Sequence, residues 1–243
     1  MIELHTVPTP NGHKVSIMLE EVGLDYQVIP YDISKGDQFK PELLKLNPNN
    51  KLPVLVDTKP TSGSEPVVIF ETGAILIYLA EKTGMFLNSD PQQRYRTLQW
   101  LMFQVSTMGP LQGQAHHFIR YAREEQPYAK ARYYNETLRQ CRVVEMQLGK
   151  SDYLAGEYSI ADIATWPWVR ALRLINIHIK QDYPNIYRWY KAIEARPAVA
   201  KGKAVINDWI YSLPPNQFLE LDEKTWSYSF GEEQYKDRSS PNK

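Results

Sequence analysis

The junction Phe70-Glu71-Thr72-Gly73 is where residue types in this 243-residue chain first meet a chemical need. An apolar run ends there and a helical pattern starts. A helix N-terminus offers unpaired N–H groups and a partial positive charge, which suit a carboxylate. Glu71 beside it suits an ammonium group, so the pair would fit an α-amino acid moiety. The same residues also read as an ordinary N-cap Thr with a Glu favoured by the helix dipole. A second candidate is Leu52-Pro53, after Asn49-Asn50-Lys51. A cis bond there would turn the Leu52 N–H and C=O outward, free to pair with the backbone of a bound peptide. A trans proline opening an edge strand is the plainer reading, and local sequence favours it. A third signal, Ser159-Ile160-Ala161-Asp162, has capping-box spacing, with Tyr158 and Ile163 placed as a hydrophobic staple. It points to folding rather than chemistry.

Other chemistries find little support. The chain has no Gly-rich phosphate loop, Gly-x-Ser-x-Gly or His-Glu-x-x-His motif. The single cysteine, Cys141, excludes an internal disulfide, a Cys-x-x-Cys pair and a four-Cys zinc site. It falls on an apolar helical stripe and reads as an inert core thiol. His116 and His117 are adjacent, so they point apart on a helix and no metal site is expected. Trp166-Pro167-Trp168 reads as core. The Lys and Arg residues from Arg120 to Arg142 read as a solvated or interface face. Twenty-eight basic against 28 acidic residues give no electrostatic footprint for nucleic acid or an anionic membrane. Met1–His5 lacks the basic start and apolar run of a secretory signal, and no apolar stretch is long enough to span a bilayer. A cytoplasmic protein is expected.

The elements that must position these residues follow from periodicity. Ile2 and Leu4 alternate with polar neighbours as in a strand, and Thr9-Pro10-Asn11-Gly12 marks a turn. Val15, Met18, Leu19 and Val22 form one helical face, stopped by Gly23. Tyr26–Tyr31 reads as a strand and Pro41–Leu46 as a short helix. Two apolar runs, 52–56 and 67–70, joined by Thr61-Ser62-Gly63-Ser64, predict a hairpin. Ala74, Ile75, Tyr78 and Leu79 give a further helix ending near Gly84. The predicted order is β-α-β-α-β-β-α with mixed pairing, an α/β unit. From Pro91 onward the spacing is helical. The expected division is an α/β domain over 1–86, a linker at 87–91, an all-α domain over 92–212 and an extension at 213–243. The extension carries Phe218, Trp226, Tyr228, Phe230 and Tyr235 among charges. It is expected to wrap over the body or a partner subunit, with Ser239-Ser240-Pro241 fraying.

Together these residues resemble the cytosolic glutathione transferases over roughly residues 1–205. The resemblance rests on the β-α-β-α-β-β-α unit, Asn50-Lys51-Leu52-Pro53, Glu71-Thr72, the Ser-Ile-Ala-Asp box and the all-helical half. Thr9-Pro10-Asn11-Gly12-His13-Lys14-Val15, Pro48-Asn49-Asn50-Lys51 and Gly113-Gln114-Ala115-His116-His117 are similar to the Nu class of glutathione-dependent disulfide-bond oxidoreductases. The yeast nitrogen-regulation prion protein has a similar globular domain. The resemblance implies a thioredoxin-like fold for the first domain, a cis Pro53 and a γ-glutamyl site at Glu71 and Thr72. It implies Thr9 and Asn11 beside the glutathione sulfur as the catalytic pair. Leu52 would pair with the cysteinyl unit, Gln38 and Lys51 would lie near the glycyl end, and Arg132 would face glutathione. Thr72 stands where the family usually has Ser, and its hydroxyl is retained. No Tyr or Cys occupies the Thr9-Pro10-Asn11 turn, so the reactive sulfur must come from glutathione itself. A free thiol has a pKa near about 8.5. Lowering it by about two units takes roughly 2.7 kcal/mol of preference for the thiolate. Thr9, Asn11 and the helix after them can supply that by hydrogen bonding, without acting as a base.

The implied co-substrate is glutathione or glutathione disulfide, with no metal, and the implied assembly is a homodimer. Three activities follow. The first is reduction of disulfides with two glutathiones. The second is conjugation of small electrophiles, with Trp166, Trp168 and Phe118 shaping the acceptor site. The third is a non-catalytic regulatory module, against which stands the lack of a long Asn/Gln-rich N-terminal segment.

Overall fold

A computed structural model describes residues 1–61, 63–206, 211 and 213–238. Ser62 in the expected hairpin turn and the expected fraying end, Ser239–Pro241, lie outside the described residues.

The predicted order holds. It runs β1 (Ile2–Thr6), α1 (Pro10–Val22), β2 (Tyr26–Pro30), α2 (Pro41–Leu46), β3 (Val54–Asp57), β4 (Val67–Phe70) and α3 (Thr72–Thr83). Two short helical turns the periodicity had not shown, Ile33–Lys35 and Asp37–Phe39, lie between β2 and α2. The sheet order is β2-β1-β3-β4. β1 pairs parallel with β2 and antiparallel with β3, and β3 pairs antiparallel with β4. The register sets His5 opposite Val54 and Val54 opposite Phe70. It therefore gathers the exit of β1, the entry of β3 and the exit of β4 at one end of the sheet. The segments that follow or precede those points are Thr9–Asn11, Leu52-Pro53 and Glu71-Thr72. The N-termini of α1 and α3 open at the same end.

The helical half comprises α4 (Pro91–Met102), a wide π-helical turn (Phe103–Met108), α5 (Gly109–Arg120), α6 (Pro127–Leu148), α7 (Ile160–Ala171), α8 (Ile179–Asp182), α9 (Pro184–Glu194) and α10 (Pro197–Ala204). The extension adds α11 (Glu223–Phe230) and α12 (Glu232–Tyr235). One apolar core runs through both halves, from Leu4, Met18 and Leu79 to Leu101, Val144 and Trp189. Helix α1 is the shared element. It is buried on nearly every side from Gly12 to Leu19, so its sequence pattern shows only part of its buried face. Two glycines permit this packing. A Cβ on Gly12 would lie 2.1 Å from the Val7 carbonyl oxygen, and one on Gly202 in α10 would lie 2.6 Å from Ile17 Cα. Ser16 Oγ donates to the Gly202 carbonyl at 2.8 Å across this contact. Arg196 grips Glu21 of α1 with two bonds of 2.6 and 2.8 Å.

The box at the start of α7 forms as the spacing requires. The Ser159 side chain caps the helix, and Asp162 Oδ2 accepts from the Ser159 N–H at 3.1 Å. Tyr158 turns its hydroxyl to Glu21 at 3.0 Å, and its ring meets Phe86 in a T-shaped contact.

Candidate active site

A cavity of about 470 Å³ opens between the site end of the sheet and helices α5 and α7. That volume lies within the range of small-molecule sites. Thr9, Asn11, Gln38, Lys51 and Leu52 line it. Pro53, Glu71 and Thr72 stand at the adjoining ends of β3 and β4. The Leu52–Pro53 bond is cis, as the resemblance implied and against the plainer local reading. Glu71 is exposed, with φ at 70°. A non-glycine residue in that region is strained, and such strain gathers where ligands are held.

Thr9 caps α1. Its Oγ1 accepts from the Gly12 N–H at 3.2 Å. That bond uses a lone pair and leaves the hydroxyl hydrogen free to donate. Asn11, one residue into the helix, is fixed by a contact from the other half of the protein. The Trp168 indole N–H donates to Asn11 Oδ1 at 3.0 Å. An indole nitrogen can only donate, so the amide oxygen must face it. The amide nitrogen, with two hydrogens, is left to turn elsewhere. Two donors, one hydroxyl and one amide, thus stand at the cavity beside a helix N-terminus. They suit an anion and include no base.

Behind Thr72 lies Lys14, which the sequence reading gave no role. It is fully buried in α1, and its Nζ donates to Thr72 Oγ1 at 3.2 Å and to Gln104 Oε1 at 2.6 Å. Gln104 comes from the π-helical turn between α4 and α5. Burial pushes the Lys14 ammonium down to about 7, with the Glu71 carboxylate opposing that shift. Because Lys14 occupies a lone pair of Thr72, the threonine hydroxyl is disposed to donate outward. A lysine between Gly12 and Val15 in an apolar stripe was the sequence signal available.

Several of these residues lie elsewhere than on this cavity's wall. Arg132 does not line the cavity. It sits on an exposed face of α6, with Nη1 3.7 Å from Glu136 Oε2. Arg120 is fully buried and lines the cavity, so it is no part of a solvated face. Of the aromatics assigned to the acceptor wall, only Trp168 lines the cavity. Trp166 is buried and stacked on Tyr190, and Phe118 stacks on Tyr133. Gln38 and Lys51 are both held by the C-terminal extension. Gln38 Nε2 donates to the Tyr228 carbonyl at 3.0 Å. With the Gln234 amide nitrogen set toward that carbonyl at 3.2 Å, its oxygen accepts from Lys51 Nζ at 3.0 Å. The extension covers its own body, as Phe230 against His117 and Arg123 over Trp226 also show. Its place could not be read from sequence, because aromatic residues mark contact without naming the surface they meet.

The expectation of an inert core thiol at Cys141 fits the geometry. Cys141 is buried on α6, and burial pushes its thiol up to about 12. His116 lines the cavity, and burial together with the nearby Arg120 pushes it down to about 3, so it is neutral at physiological pH. Among the described residues no group of His, Cys, Asp and Glu could hold a metal, and no helix is long and apolar enough to cross a membrane.

A four-stranded mixed sheet with a cis-proline entry, a strained Glu-Thr junction and a helical half bearing on it define the glutathione transferase architecture. Residues 1–81 match the family model for the glutathione S-transferase N-terminal domain, and residues 108–197 match that for the C-terminal domain. The chain belongs to the glutathione S-transferase family. Among individual proteins, it is 49% identical over 211 residues to the disulfide-bond oxidoreductase YfcG of Escherichia coli K12, covering 86% of this chain and 98% of that one. A glutathione transferase from Pseudomonas putida, solved with one glutathione disulfide bound per subunit, is 42% identical. It superposes with a TM-score of 0.81 over 85% of this chain and 92% of that one. A glutathione transferase from Burkholderia graminis, solved with two glutathione molecules per subunit, is 43% identical with a TM-score of 0.80, over 84% and 88%.

Proposed function

We propose that the protein reduces disulfide bonds with glutathione, the glutathione thiolate being the nucleophile. The observation that carries this is the pair of oriented donors, Thr9 and Asn11, at a cavity that holds no protein thiol among its described lining residues. The E. coli relative's name as a disulfide-bond oxidoreductase supports the same reading, as does the glutathione disulfide in the P. putida structure. The first thiolate attacks one sulfur of the substrate disulfide. It forms a mixed disulfide and releases the first product thiolate. A second glutathione thiolate then attacks the glutathione sulfur of that intermediate and releases the second. Two protons lost by glutathione end on the two product thiols, and the oxidised product is glutathione disulfide. Thr9 and Asn11 hold the attacking anion. Glu71 would take the γ-glutamyl ammonium, and Thr72, with Lys14 behind it, the carboxylate. Leu52 and Pro53 would present main chain to the cysteinyl unit, and Gln38 and Lys51 would serve the glycyl end.

The test is reduction of hydroxyethyl disulfide by glutathione, coupled to glutathione reductase. Activity is expected in the wild type and equally in Cys141→Ala, because that thiol is buried and protonated. Loss in Cys141→Ala, or fast conjugation of a chlorinated nitrobenzene with no disulfide reduction, would reject this mechanism.

Lys14 gives a prediction of its own. A carboxylate bound at the Thr72 hydroxyl favours the ammonium over the amine, so ligand binding raises the Lys14 pKa from about 7. Affinity should be highest below pH 7 and should fall as the pH rises through the raised value. S-methylglutathione has no ionisable thiol. Its binding near pH 7.5, measured by calorimetry in buffers of different ionisation enthalpy, should show proton uptake that Lys14→Met abolishes. Equal heats in all buffers would remove Lys14 from the γ-glutamyl subsite.

We also place the protein in the cytoplasm, where glutathione is kept reduced, and read it as a homodimer. Helix α6 exposes Tyr128 and Arg132, a face that a second copy would cover. That would be the route by which Arg132 reaches a glutathione site. Light scattering in solution reports the assembly, and a monomer at all concentrations would rule it out.

A further inference from the structure

Arg120 ends helix α5 with no accessible surface, yet its Nη1 and Nη2 have no hydrogen-bond partner. Only Nε is engaged, donating to the Gln217 carbonyl at 3.3 Å. Among the described residues, the groups that act on its charge offer no neutralisation. Arg173 adds a second positive charge in the vicinity, and Tyr121 and Tyr211 are phenols. The cavity that Arg120 lines contains Lys51 as well and, among the described lining residues, no Asp or Glu. Its neutral neighbour His116 leaves Nε2 unpartnered too. A buried guanidinium without a counter-charge is costly, and its planar fork matches a carboxylate in two parallel bonds.

We propose that Arg120 anchors a carboxylate on the acceptor substrate, so that the protein acts preferentially on small disulfides carrying an acidic group. The inference rests on the disulfide-reductase reading and names the substrate class for it. The attacking glutathione is held at the sheet end by Thr9, Asn11 and Thr72. Arg120 comes from the helical wall, where the departing half of the disulfide must lie. Lys51 is already tied to Gln234, so among the described lining residues the free cationic donors are Nη1 and Nη2 of Arg120. Much of the wall around it, including Trp168, Leu174, Leu219 and Phe230, is apolar and suits the carbon chain between sulfur and carboxylate.

The test compares kcat/KM for dithiodipropionate and for its diamide, which has the same shape and no charge. The wild type should prefer the acid by about tenfold or more, since hydrogen bonds to a charged partner are worth about 10- to 100-fold in binding. In Arg120→Gln the acid-to-amide ratio should collapse toward one, and Arg120→Lys should recover part of it. Because the measure is a ratio within each variant, a general loss of activity from a loosened extension does not imitate the effect. A wild type that reduces both compounds equally, or an Arg120→Gln variant that keeps the full ratio, overturns the carboxylate anchor alone. A wild type that reduces neither overturns the disulfide-reductase reading and this inference with it.

Discussion

Asn11→Ala should lower the rate of disulfide reduction by about 10²-fold, the scale seen when one preorganised donor to a developing or resident anion is removed. The loss should appear in thiolate formation. Ultraviolet titration of the glutathione complex should show the bound thiol moving back toward the ordinary value near about 8.5. The sign follows from the donor's role: a group that hydrogen-bonds the anion holds its pKa down, and removing that group lets it rise. Activity in the variant should recover with pH as bulk ionisation supplies the thiolate. Trp168→Phe separates orientation from presence. It keeps most of the ring and removes the N–H that fixes Asn11 Oδ1. The amide can then rotate, so a smaller loss with the same direction of pKa change is expected. Thr9→Val should also lower activity, and it removes a helix cap worth about 1 kcal/mol. Thr9→Ser keeps both cap and donor and should be close to wild type. Unchanged activity in Asn11→Ala across the pH range would remove the amide from the mechanism.

Asp162→Ala should be the most destabilising single change outside the site, with a loss of about 3 kcal/mol or more. Asp162 is fully buried and its carboxylate receives four donors. Oδ1 accepts from the Leu154 N–H at 3.0 Å and the Trp189 indole at 2.8 Å, and Oδ2 accepts from the Ser159 N–H and hydroxyl, both at 3.1 Å. Truncation strands all four inside the protein, and each unsatisfied donor costs about 1–3 kcal/mol. A chain of this size should then lose roughly 6–12 °C in Tm. Burial pushes the Asp162 carboxyl up to about 6 against the pull of those donors, so the group is still ionised at neutral pH. Ser159→Ala removes the cap and one of the four donors to Asp162 and should cost less, about 1–2 kcal/mol. A fall in Tm of less than two or three degrees in Asp162→Ala would mean that water replaces the carboxylate without penalty.

The two predictions differ in how far they could be foreseen. The Ser159–Asp162 box is local, since its partners lie three residues apart and side-chain reach alone brings them together. The order of strands and helices was legible for the same reason: alternation and helical spacing are properties of neighbouring residues. The turn at Thr9–Gly12, Thr72 at a helix start and the inert place of Cys141 follow equally from short-range pattern. The cis bond at Pro53 was different, because its local sequence favoured trans and only the combined motifs reversed that.

What only the tertiary structure decided is which groups meet across the chain. Asn11 and Trp168 are 157 residues apart, Lys14 and Gln104 are 90 apart, and Gln38 reaches a carbonyl 190 residues away. Each bond joins elements whose approach is set by a shared core. The sequence therefore determined the main strands and helices and the box that caps α7, and through the resemblance the kind of anion chemistry open to the Thr9–Asn11 turn. The three-dimensional packing decided that the Asn11 amide faces the site nitrogen-first, that Lys14 stands behind Thr72, and that Arg120 is a buried cation rather than a solvated one. Helical periodicity reports that a face is covered, while the identity of what covers it is a property of the whole fold.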